Sequence, residues 1–541
     1  MKKENLFKEQ LKHKSLFRKD ITFIKICMML VAFASVLTLA PLNAKAAIKV
    51  PLDTSIEPNR DAGRELYDTK CYYHNALPLD ISISNGYDAS KLHDERYSTT
   101  LALPEGTEIN VNSSVAMKGL YVIWDGIVPE WTLKIGDESY TYGTNGFLHE
   151  YIELPKEATS VTIVMPSGAN SVERGSKDMR IADIIAFDQT DDLPAWVQVW
   201  EPVCEQADIL VLATHADDEI IFLGSVAPIY QVERNMRVQY AYFTTYWNIP
   251  DQHIREHEKL NGLWLAGCKY YPIMSAFDDN YAKTYEGAAQ YINEEDARTY
   301  LTRCIRLSHP KVVVTQDLNG EYGHGQHMFL ANNVVNAVDL AADATYDAES
   351  LEKYGAWEVD KFYIHIYPEN QINLDMRIPL DSFDGKRAID VARQAYLCHQ
   401  SQQWCDFTVD DYGPYSAGCF GLYKTRVGED VAKNDLMENV VSYEEEEELA
   451  RIEKERLEEE ARIAEEERLA KEEADRKAAL EAAQDEDDKK PEKKEKKLSE
   501  EETIIIVAIV VLVVITIGAG AGFVVYNNNQ KKKRRRRRRR R

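Results

Sequence analysis

Two short stretches of this sequence contain the residue types that could bind and use a metal ion. The first runs from Thr214 to Glu219 and holds one imidazole followed by three carboxylates. The second runs from Gly320 to His327 and holds two further imidazoles. Imidazole nitrogens with one carboxylate oxygen suit Zn²⁺, and three protein ligands leave one position open for water. Because Zn²⁺ lowers the pKa of that water to about 7, a second carboxylate nearby could accept its proton.

The elements that must position these stretches are two buried strands of one sheet. Residues 209–213 are an unbroken apolar run, and a second strand is predicted at 311–316. A helical pattern starts directly after each polar stretch. Because ligands in open α/β sheets lie outside the carboxyl ends of the strands, we expect the two loops to converge at one sheet edge.

The region 203–427 alternates predicted strands and helices, which indicates right-handed βαβ units and a Rossmann-like parallel sheet. No Gly-x-Gly-x-x-Gly follows the strand at 209–213, so a nucleotide-binding Rossmann protein is poorly supported. The strand candidates are 209–213, 238–244, 270–274, 311–316 and 361–367, and the helix candidates lie near 218–233, 252–267, 294–308, 327–342 and 384–403.

An all-β region is predicted before the α/β domain. Six strand-like runs with turn residues between them place a β-sandwich at 47–195. The pattern resembles the discoidin-like, galactose-binding jelly rolls, which implies a possible carbohydrate-binding module. Exposed aromatic residues would then stack on sugar rings, and the alternative is that they belong to the core. The candidates are Trp124, Trp131, Tyr140 and Tyr142.

The two ends of the chain predict targeting and anchoring. Residues 1–46 have the basic start, apolar stretch and small-x-small site of a signal peptide, with an uncleaved anchor as the alternative. The uncharged segment 503–526 is long enough to be a transmembrane helix. The bases at 527–541 would form a cytoplasmic tail by the positive-inside rule. The expected location is the cell membrane, single-pass, with the bulk of a bacterial protein outside.

Between the α/β domain and that apolar segment, the sequence is strongly charged. Residues 444–484 predict a charged helical stalk in which i,i+4 pairs of opposite charge recur. Its larger apolar residues keep no heptad, which favours a solvated single helix over a coiled coil. Residues 485–502 predict a disordered linker.

Overall composition narrows the classes of partner. The chain has 541 residues and a formal net charge of −25. Nucleic acid is a poor partner for so acidic a body, because its phosphates require a basic surface. The eight cysteines include no Cys-x-x-Cys pair, so the sequence leaves disulfide pairing open, and no protein partner can be inferred.

The two motifs together resemble those of the PIG-L/LmbE family of zinc-dependent deacetylases and amidases of N-acetylglucosamine-containing molecules. The resemblance covers about 203–405, and it implies a Rossmann-like fold and Zn²⁺ as cofactor. Thr214 and Ala216 depart from the family's first motif at non-ligand positions, and Gln326 replaces the aspartate of its second motif. The resemblance implies the metal ligands His215, Asp218 and His327.

The resemblance also implies how catalysis would proceed. Asp217 would be the general base, His324 would stabilise the intermediate or protonate the leaving amine, and Tyr322 would polarise the amide carbonyl. Weaker matches to the family imply substrate-binding roles for three residues outside the two motifs, Arg255, Asp279 and His399. Of these, His399 belongs to a late His-x-Ser-Gln signature.

The function expected from these observations is a metal-dependent hydrolase that removes N-acetyl groups from N-acetylglucosamine-containing glycans or glycoconjugates at the cell surface. One alternative is an amidase that uses the same zinc site on a non-sugar amide. Another is a catalytically inactive glycan-binding adhesin. The physiological substrate, the oligomeric state and the metal loaded stay open.

Overall fold

The computed structural model describes residues 76–94, 96–168, 178–249, 252–405 and 407–487. The predicted signal peptide lies outside the described residues. So do the segments predicted as a transmembrane helix and a cytoplasmic tail, together with all but the first residues of the predicted linker.

The first sheet is antiparallel and curled. Its strands are hydrogen-bonded in the order β2-β7-β3-β6-β4-β5, with β1 also paired to β3. The register of β3 against β6 shifts between Asn112 and Gly119, and such irregularities bend a sheet. The predicted two-sheet sandwich is therefore wrong, because the seven strands belong to one continuous, curled sheet. Its strands are β1 (Asp80–Ile83), β2 (Leu101–Leu103), β3 (Glu108–Trp124), β4 (Trp131–Ile135), β5 (Glu138–Tyr142), β6 (His149–Val164) and β7 (Met179–Phe187).

The aromatic residues considered for sugar stacking are mostly interior. Trp124 is 0% exposed and Trp131 is 2% exposed, and their ring centroids lie 5.4 Å apart. The indole N–H of Trp131 donates a hydrogen bond to Glu150, with a nitrogen–oxygen distance of 2.7 Å. Tyr140 and Tyr142 are partly buried against the same core. The two tryptophans are thus core residues, and the galactose-binding resemblance is unconfirmed.

The second sheet is mixed, which corrects the predicted parallel sheet. Its order is β12-β15-β11-β10-β8-β9, and only β9, β8, β10 and β11 are parallel. The chain returns along the edge of β11, so that β15 and β12 run antiparallel to their neighbours. The strands are β8 (Ile209–Ala213), β9 (Val238–Tyr242), β10 (Val312–Thr315), β11 (Lys361–His365), β12 (Gln371–Asn373) and β15 (Cys419–Thr425), and a hairpin consists of β13 (Pro379–Leu380) and β14 (Lys386–Arg387).

The centre of this sheet brings the two polar loops together. All five residues of β8 are buried, as expected for a strand that is covered on both faces. Thr315 of β10 pairs with Leu212 of β8 and with Ile364 of β11. The loops that follow β8 and β10 therefore leave the sheet side by side, next to the last residue of β11, His365.

Eight α-helices complete the described part of the chain. The helix predicted near 218–233 is interrupted, because α1 ends at Ile221 and a π-helical turn follows at Ala227–Glu233. Pro228 lies in that turn and has no N–H to continue an α-helix. The helices are α1 (Asp218–Ile221), α2 (Ile254–Leu265), α3 (Tyr285–Ala288), α4 (Glu294–Ser308), α5 (Gly325–Ala342), α6 (Ala348–Tyr354), α7 (Ala388–Tyr396) and α8 (Tyr443–Asp487).

The last helix, α8, is charged and carries local ion pairs. Arg456 contacts Glu453 and Glu460, one turn away on either side. Among the described residues, no helix is long and apolar enough to cross a membrane: α8 has the length, but its residues are largely charged. This finding contradicts the membrane anchor in the predicted fold class and the predicted single-pass location in the cell membrane.

The curled sheet and the mixed sheet share one core. A single cluster of buried apolar side chains runs from β3 into β8. Polar contacts cross the same boundary: His149 Nε2 lies 2.8 Å from His257 Nδ1, and the backbone N–H of Leu148 donates to the Tyr271 hydroxyl at 3.0 Å. The β region is thus packed directly against the α/β region.

Candidate metal centre

The loop after β8 has a strained backbone that several contacts hold. Asp217 has a φ of 135°, in a region that residues with a Cβ rarely adopt. Its N–H donates to Glu219 Oε2 at 2.7 Å. The preceding residue is held on both sides, because the Ala216 carbonyl accepts from Arg255 at 2.7 Å and the Ala216 N–H donates to the Tyr246 hydroxyl at 3.3 Å.

The loop after β10 needs glycine at two close approaches. Gly320 has a φ of 67°, and a Cβ there would lie 2.4 Å from the His324 carbonyl oxygen. A Cβ on Gly325 would lie 2.3 Å from the carbonyl oxygen of Thr284. This tight loop starts α5 immediately, which places His327 in the first turn of the helix, at the carboxyl edge of the sheet.

Three ligand-type atoms from the two loops form a triangle. His215 Nδ1 lies 2.9 Å from Asp218 Oδ2 and 3.0 Å from His327 Nε2, and the third side, His327 Nε2 to Asp218 Oδ2, is 3.2 Å. All three side chains are buried. Ligands at about 2.0–2.2 Å from one tetrahedral Zn²⁺ would be separated by a little more than 3 Å. The structure therefore brings together the three residues predicted to bind the metal.

The other nitrogen of each imidazole has an acceptor. His215 Nε2 lies 2.9 Å from Gln326 Oε1, and His327 Nδ1 lies 2.8 Å from Glu321 Oε2. A proton on each of these nitrogens leaves the lone pair of the opposite nitrogen directed into the triangle. The donor set and its tautomers thus fit a divalent cation.

His324 and Tyr322 lie beside the triangle. His324 stacks on His327 with ring centroids 4.6 Å apart. His215, His324 and His327 together form an alternative set of three imidazole ligands for a metal ion. Its Nδ1 accepts the N–H of Gln326 at 3.3 Å, so a proton on a neutral ring would sit on Nε2. Tyr322, 43% exposed, has its ring centroid 5.7 Å from that of His324.

Electrostatics at the triangle favour positive charge. Burial lowers the pKa of His327, but Asp218 and Glu321 outweigh burial and raise it to about 9. Burial likewise lowers the pKa of His215, but Asp279 and Asp218 raise it well above the usual value. Protons therefore occupy the site where a divalent cation would bind, and cation binding must displace them.

Two further groups have the protonation that amide hydrolysis would require. Burial, with repulsion from Asp218, raises the pKa of Asp217 to about 7, although Arg255 opposes the shift. Burial and the neighbouring imidazoles lower the pKa of His324 to about 2, so its ring is neutral. A carboxylate with a pKa near neutrality is a suitable general base.

Of the residues predicted to bind substrate, Arg255 and Asp279 lie at the loop itself. Arg255 contacts Asp217 Oδ1 at 3.2 Å and Asp279 Oδ2 at 3.7 Å, and its guanidinium lies over the Tyr246 ring. Asp279 Oδ1 is also 3.4 Å from His215 Nε2. Arg255 is thus engaged with protein groups on several sides, and contact of either residue with substrate stays a prediction.

His399 lies behind the first loop and is fully buried. Its Nε2 is 2.9 Å from Glu219 Oε1. The N–H does not point along the line to that oxygen, so the contact is an ion pair rather than a well-aligned hydrogen bond. The structure places His399 against α2 and Glu219, and not at the surface of the triangle.

Sequence reasoning missed the residues that support the imidazoles. Glu321 bridges His327 and His365, because its Oε1 lies 2.6 Å from His365 Nδ1. The Nε2 of His365 donates in turn to the Ser416 carbonyl at 3.0 Å. Burial raises the pKa of Glu321, but these histidines outweigh it and lower it to about 2. The only sign of these supports in the sequence is a carboxylate inside the second motif, Glu321, and a single histidine near the end of a predicted strand, His365.

The fold and the site define an α/β domain with a candidate divalent-metal centre at the carboxyl edge of its sheet. Residues 210–338 match the sequence model of the PIG-L family, described as GlcNAc-PI de-N-acetylase. The match confirms, for this segment, the PIG-L resemblance that the two motifs predicted.

Curated relatives match the same kind of segment. A 1D-myo-inositol 2-acetamido-2-deoxy-alpha-D-glucopyranoside deacetylase 1 from Catenulispora acidiphila is 36% identical over 77 residues, which are 14% of this chain and 23% of the relative. A deacetylase with the same substrate name from Geodermatophilus obscurus is 41% identical over 69 residues, 13% of this chain and 22% of the relative. The chain thus spans less than a quarter of the length of these two relatives.

Solved structures give weaker matches. An N,N'-diacetylchitobiose deacetylase from Pyrococcus horikoshii aligns with a TM-score of 0.29 and 16% identity, over 37% of this chain and 72% of that one. A conserved protein from Thermus thermophilus aligns with a TM-score of 0.28 and 19% identity, over 36% and 80% of the two chains. TM-scores this low do not establish a shared overall fold.

Proposed function

We propose that this protein is a zinc-dependent N-deacetylase that acts on N-acetylglucosamine-containing molecules. The observation that supports this most directly is the triangle of His215, Asp218 and His327, whose three ligand-type atoms lie 2.9–3.2 Å apart. The PIG-L match and the names of the curated relatives support the reaction and the kind of substrate.

In this proposal His215, Asp218 and His327 hold the ion, with His324 as a neighbour rather than a ligand. The ion supplies Lewis acidity, which polarises the amide carbonyl and makes water acidic at neutral pH. Asp218 is preferred to His324 as the third ligand because Asp218 Oδ2 lies 2.9 Å from His215 Nδ1 and 3.2 Å from His327 Nε2, and so completes the triangle with both nitrogens. A carboxylate in the set also offsets the charge of a divalent cation.

Asp217 would accept the proton of the attacking water. Its pKa of about 7 leaves a large fraction of the carboxylate ionised at neutral pH. Arg255 fixes one carboxylate oxygen at 3.2 Å. General-base action of this kind contributes about 10²–10⁴-fold to the rate.

His324 and Tyr322 would act on the carbonyl oxygen as hydrogen-bond donors. His324 is neutral and, with Nδ1 accepting a backbone hydrogen bond, carries its proton on Nε2. That N–H can donate a hydrogen bond to the negatively charged oxygen of the intermediate, and the proton that Asp217 has accepted from water would be the one that passes to the leaving amine. Burial and the surrounding carboxylates raise the pKa of Tyr322, so its phenol stays protonated as a donor.

The kind of substrate is proposed from the relatives and from the mouth of the site. Tyr281, 69% exposed, places its ring edge-to-face with His324 at 5.2 Å between centroids. An exposed aromatic ring beside the reacting groups suits the apolar face of a pyranose. A non-sugar amidase would use the same metal ligands, and only substrate tests separate it from a sugar deacetylase.

The experiment compares the zinc-loaded full chain with Asp217→Asn, His327→Ala and a matched surface control, Asp137→Asn. Acetate and free amine are measured on N-acetylglucosamine oligomers and on N-acetylated amino acids. We expect acetate release from the oligomers alone, a kcat loss of about 10²–10⁴-fold in Asp217→Asn with zinc retained, and loss of bound zinc in His327→Ala.

Two outcomes would overturn the proposal. Turnover of the acetylated amino acids in preference to the sugars would favour the amidase. An Asp217→Asn variant that is as fast as Asp137→Asn would remove the proposed general base.

A further inference from the structure

The His-x-Ser-Gln signature near residue 400 has no role in the chemistry described so far. Its histidine and serine side chains are buried, and each contacts a carboxylate. His399 Nε2 contacts Glu219, and both the backbone N–H and the hydroxyl of Ser401 donate to Glu258. Glu219 lies directly after the metal triangle in sequence, and Glu258 lies on α2, one turn from Arg255. The signature therefore contacts both elements that surround the proposed general base.

Glu219 connects His399 to the backbone of Asp217. One carboxylate oxygen lies 2.9 Å from His399 Nε2, and the other accepts the Asp217 N–H at 2.7 Å. Both residues of the pair, Glu219 and His399, are 0% exposed. A buried polar group without a partner is costly, and His399 is the partner that this oxygen of Glu219 contacts beneath the loop.

Glu219 accepts its hydrogen bond from Asp217, the residue with the most strained backbone in the loop. Asp217 has a φ of 135°, and a residue in such a conformation persists only when its surroundings hold it. If its N–H were released, the Asp217 peptide could relax towards ordinary φ values, and its carboxylate would turn away from the triangle.

The helix α2 packs closely against the His399 ring at Gly262. A Cβ added to Gly262 of α2 would lie 2.8 Å from His399 Nε2 and 3.4 Å from the Ala395 carbonyl oxygen. Glycine at this position lets α2 approach the His399 ring closely. An alanine there would force the ring or the helix to shift and so disturb the contact with Glu219, while every polar group of the pair is kept.

We propose that Glu219 and His399 form a positioning pair that holds the strained Asp217 backbone, so that the Asp217 carboxylate faces the metal triangle. The proposal rests on the proposed function, in which Asp217 is the general base. It assigns to His399 a positioning role in place of the predicted contact with substrate. Arg255 still holds the Ala216 carbonyl at 2.7 Å, so loss of the pair should loosen the loop without unfolding it.

The test uses the zinc-loaded full chain with His399→Ala, His399→Gln and Gly262→Ala. Gly287→Ala is the matched control, because a Cβ there meets its nearest neighbours at 3.4–3.5 Å, an ordinary contact distance. We expect kcat to fall about 10²-fold in His399→Ala and Gly262→Ala with KM and zinc content unchanged, since a displacement of about 1 Å at the reacting groups costs this much. His399→Gln, which keeps a donor, should recover part of the rate.

Two readouts separate this proposal from failure of the proposed function. Hydrogen–deuterium exchange at 214–218 should rise in His399→Ala and Gly262→Ala but not in Gly287→Ala, whatever the reaction catalysed. In the double variant Asp217→Asn/His399→Ala, kcat should be no lower than in Asp217→Asn alone, because the pair acts through Asp217. Unchanged exchange at 214–218, or fully additive losses in the double variant, would refute the positioning pair. A fast Asp217→Asn with raised exchange in His399→Ala would refute only the general base.

Discussion

Removal of the Glu321 carboxylate should weaken metal binding without removing any metal ligand. Glu321 accepts from His327 Nδ1 at 2.8 Å and lies 2.6 Å from His365 Nδ1, in a fully buried site. In Glu321→Ala the His327 Nδ1–H loses its acceptor, and the ring is free to turn or to change tautomer. Loss of such support costs about 10–100-fold in metal affinity. We expect the upper value, about 100-fold, or about 2.8 kcal/mol.

The conservative variant Glu321→Gln separates orientation from charge. Its amide oxygen can still accept from His327, and its NH₂ group can donate to His365 Nδ1, whose Nε2–H continues to donate to Ser416. Orientation is therefore kept and the negative charge is lost. The NH₂ group also meets the backbone N–H of Asp317, which lies 3.1 Å from the present oxygen. For these reasons a loss of about tenfold is expected.

The assay is a competition titration of Zn²⁺ between the protein and a chelating indicator at fixed pH, with Glu352→Gln as the surface control. Thermal unfolding in excess chelator checks that the metal-free variants are folded. Equal affinities for Glu321→Ala and Glu321→Gln would mean that charge alone matters, and the orientation argument would fail. Wild-type affinity in Glu321→Ala would refute any role of Glu321 at the metal.

Two further predictions concern stability. The pKa of His327 is about 9 in the folded protein, against about 6.5 when unfolded, so the stability it contributes without metal is complete below pH 6.5 and lost as the pH rises through 9. Zinc reverses this dependence of stability on pH because it binds the deprotonated ring. Melting temperatures measured from pH 6 to 9.5 with and without zinc check this prediction. Parallel curves of melting temperature against pH would contradict it. Asp430→Ala should destabilise the protein by about 3–5 kcal/mol, because it leaves the fully buried Lys361 ammonium without its carboxylate. Urea unfolding measures this, Lys361→Met/Asp430→Leu should recover most of the loss, and a loss below 1 kcal/mol in Asp430→Ala would count against the buried pair.

The centre of the α/β region could be predicted because its signals are local. The apolar run at 209–213 is β8 with those bounds, and the strand predicted at 311–316 is β10 at Val312–Thr315. The antiparallel strand β15 was not predicted. Its sequence has no clean alternation, and its pairing with β11 depends on tertiary contacts that a local pattern cannot contain.

The site divides in the same way. The three predicted metal ligands could be found from two short motifs, because each motif is continuous in sequence. The supports behind them could not, since His365 is 44 residues from Glu321 and belongs to no motif that connects the two. His399 was found from a motif, but its burial and its contact with Glu219 follow from packing and could not be read from residue types.

The shared core of the two sheets bears on how this protein can be taken apart. A truncation at the junction near residue 200 would bare the Tyr271 hydroxyl and the ring of His257, both of which meet groups from β6 or the residue before it. Helix α2, which carries Arg255, would lose the side chains of the β region that contact it at His257. The two regions are better regarded as one structural unit, and a fragment without the β region is a poor substitute for the whole protein.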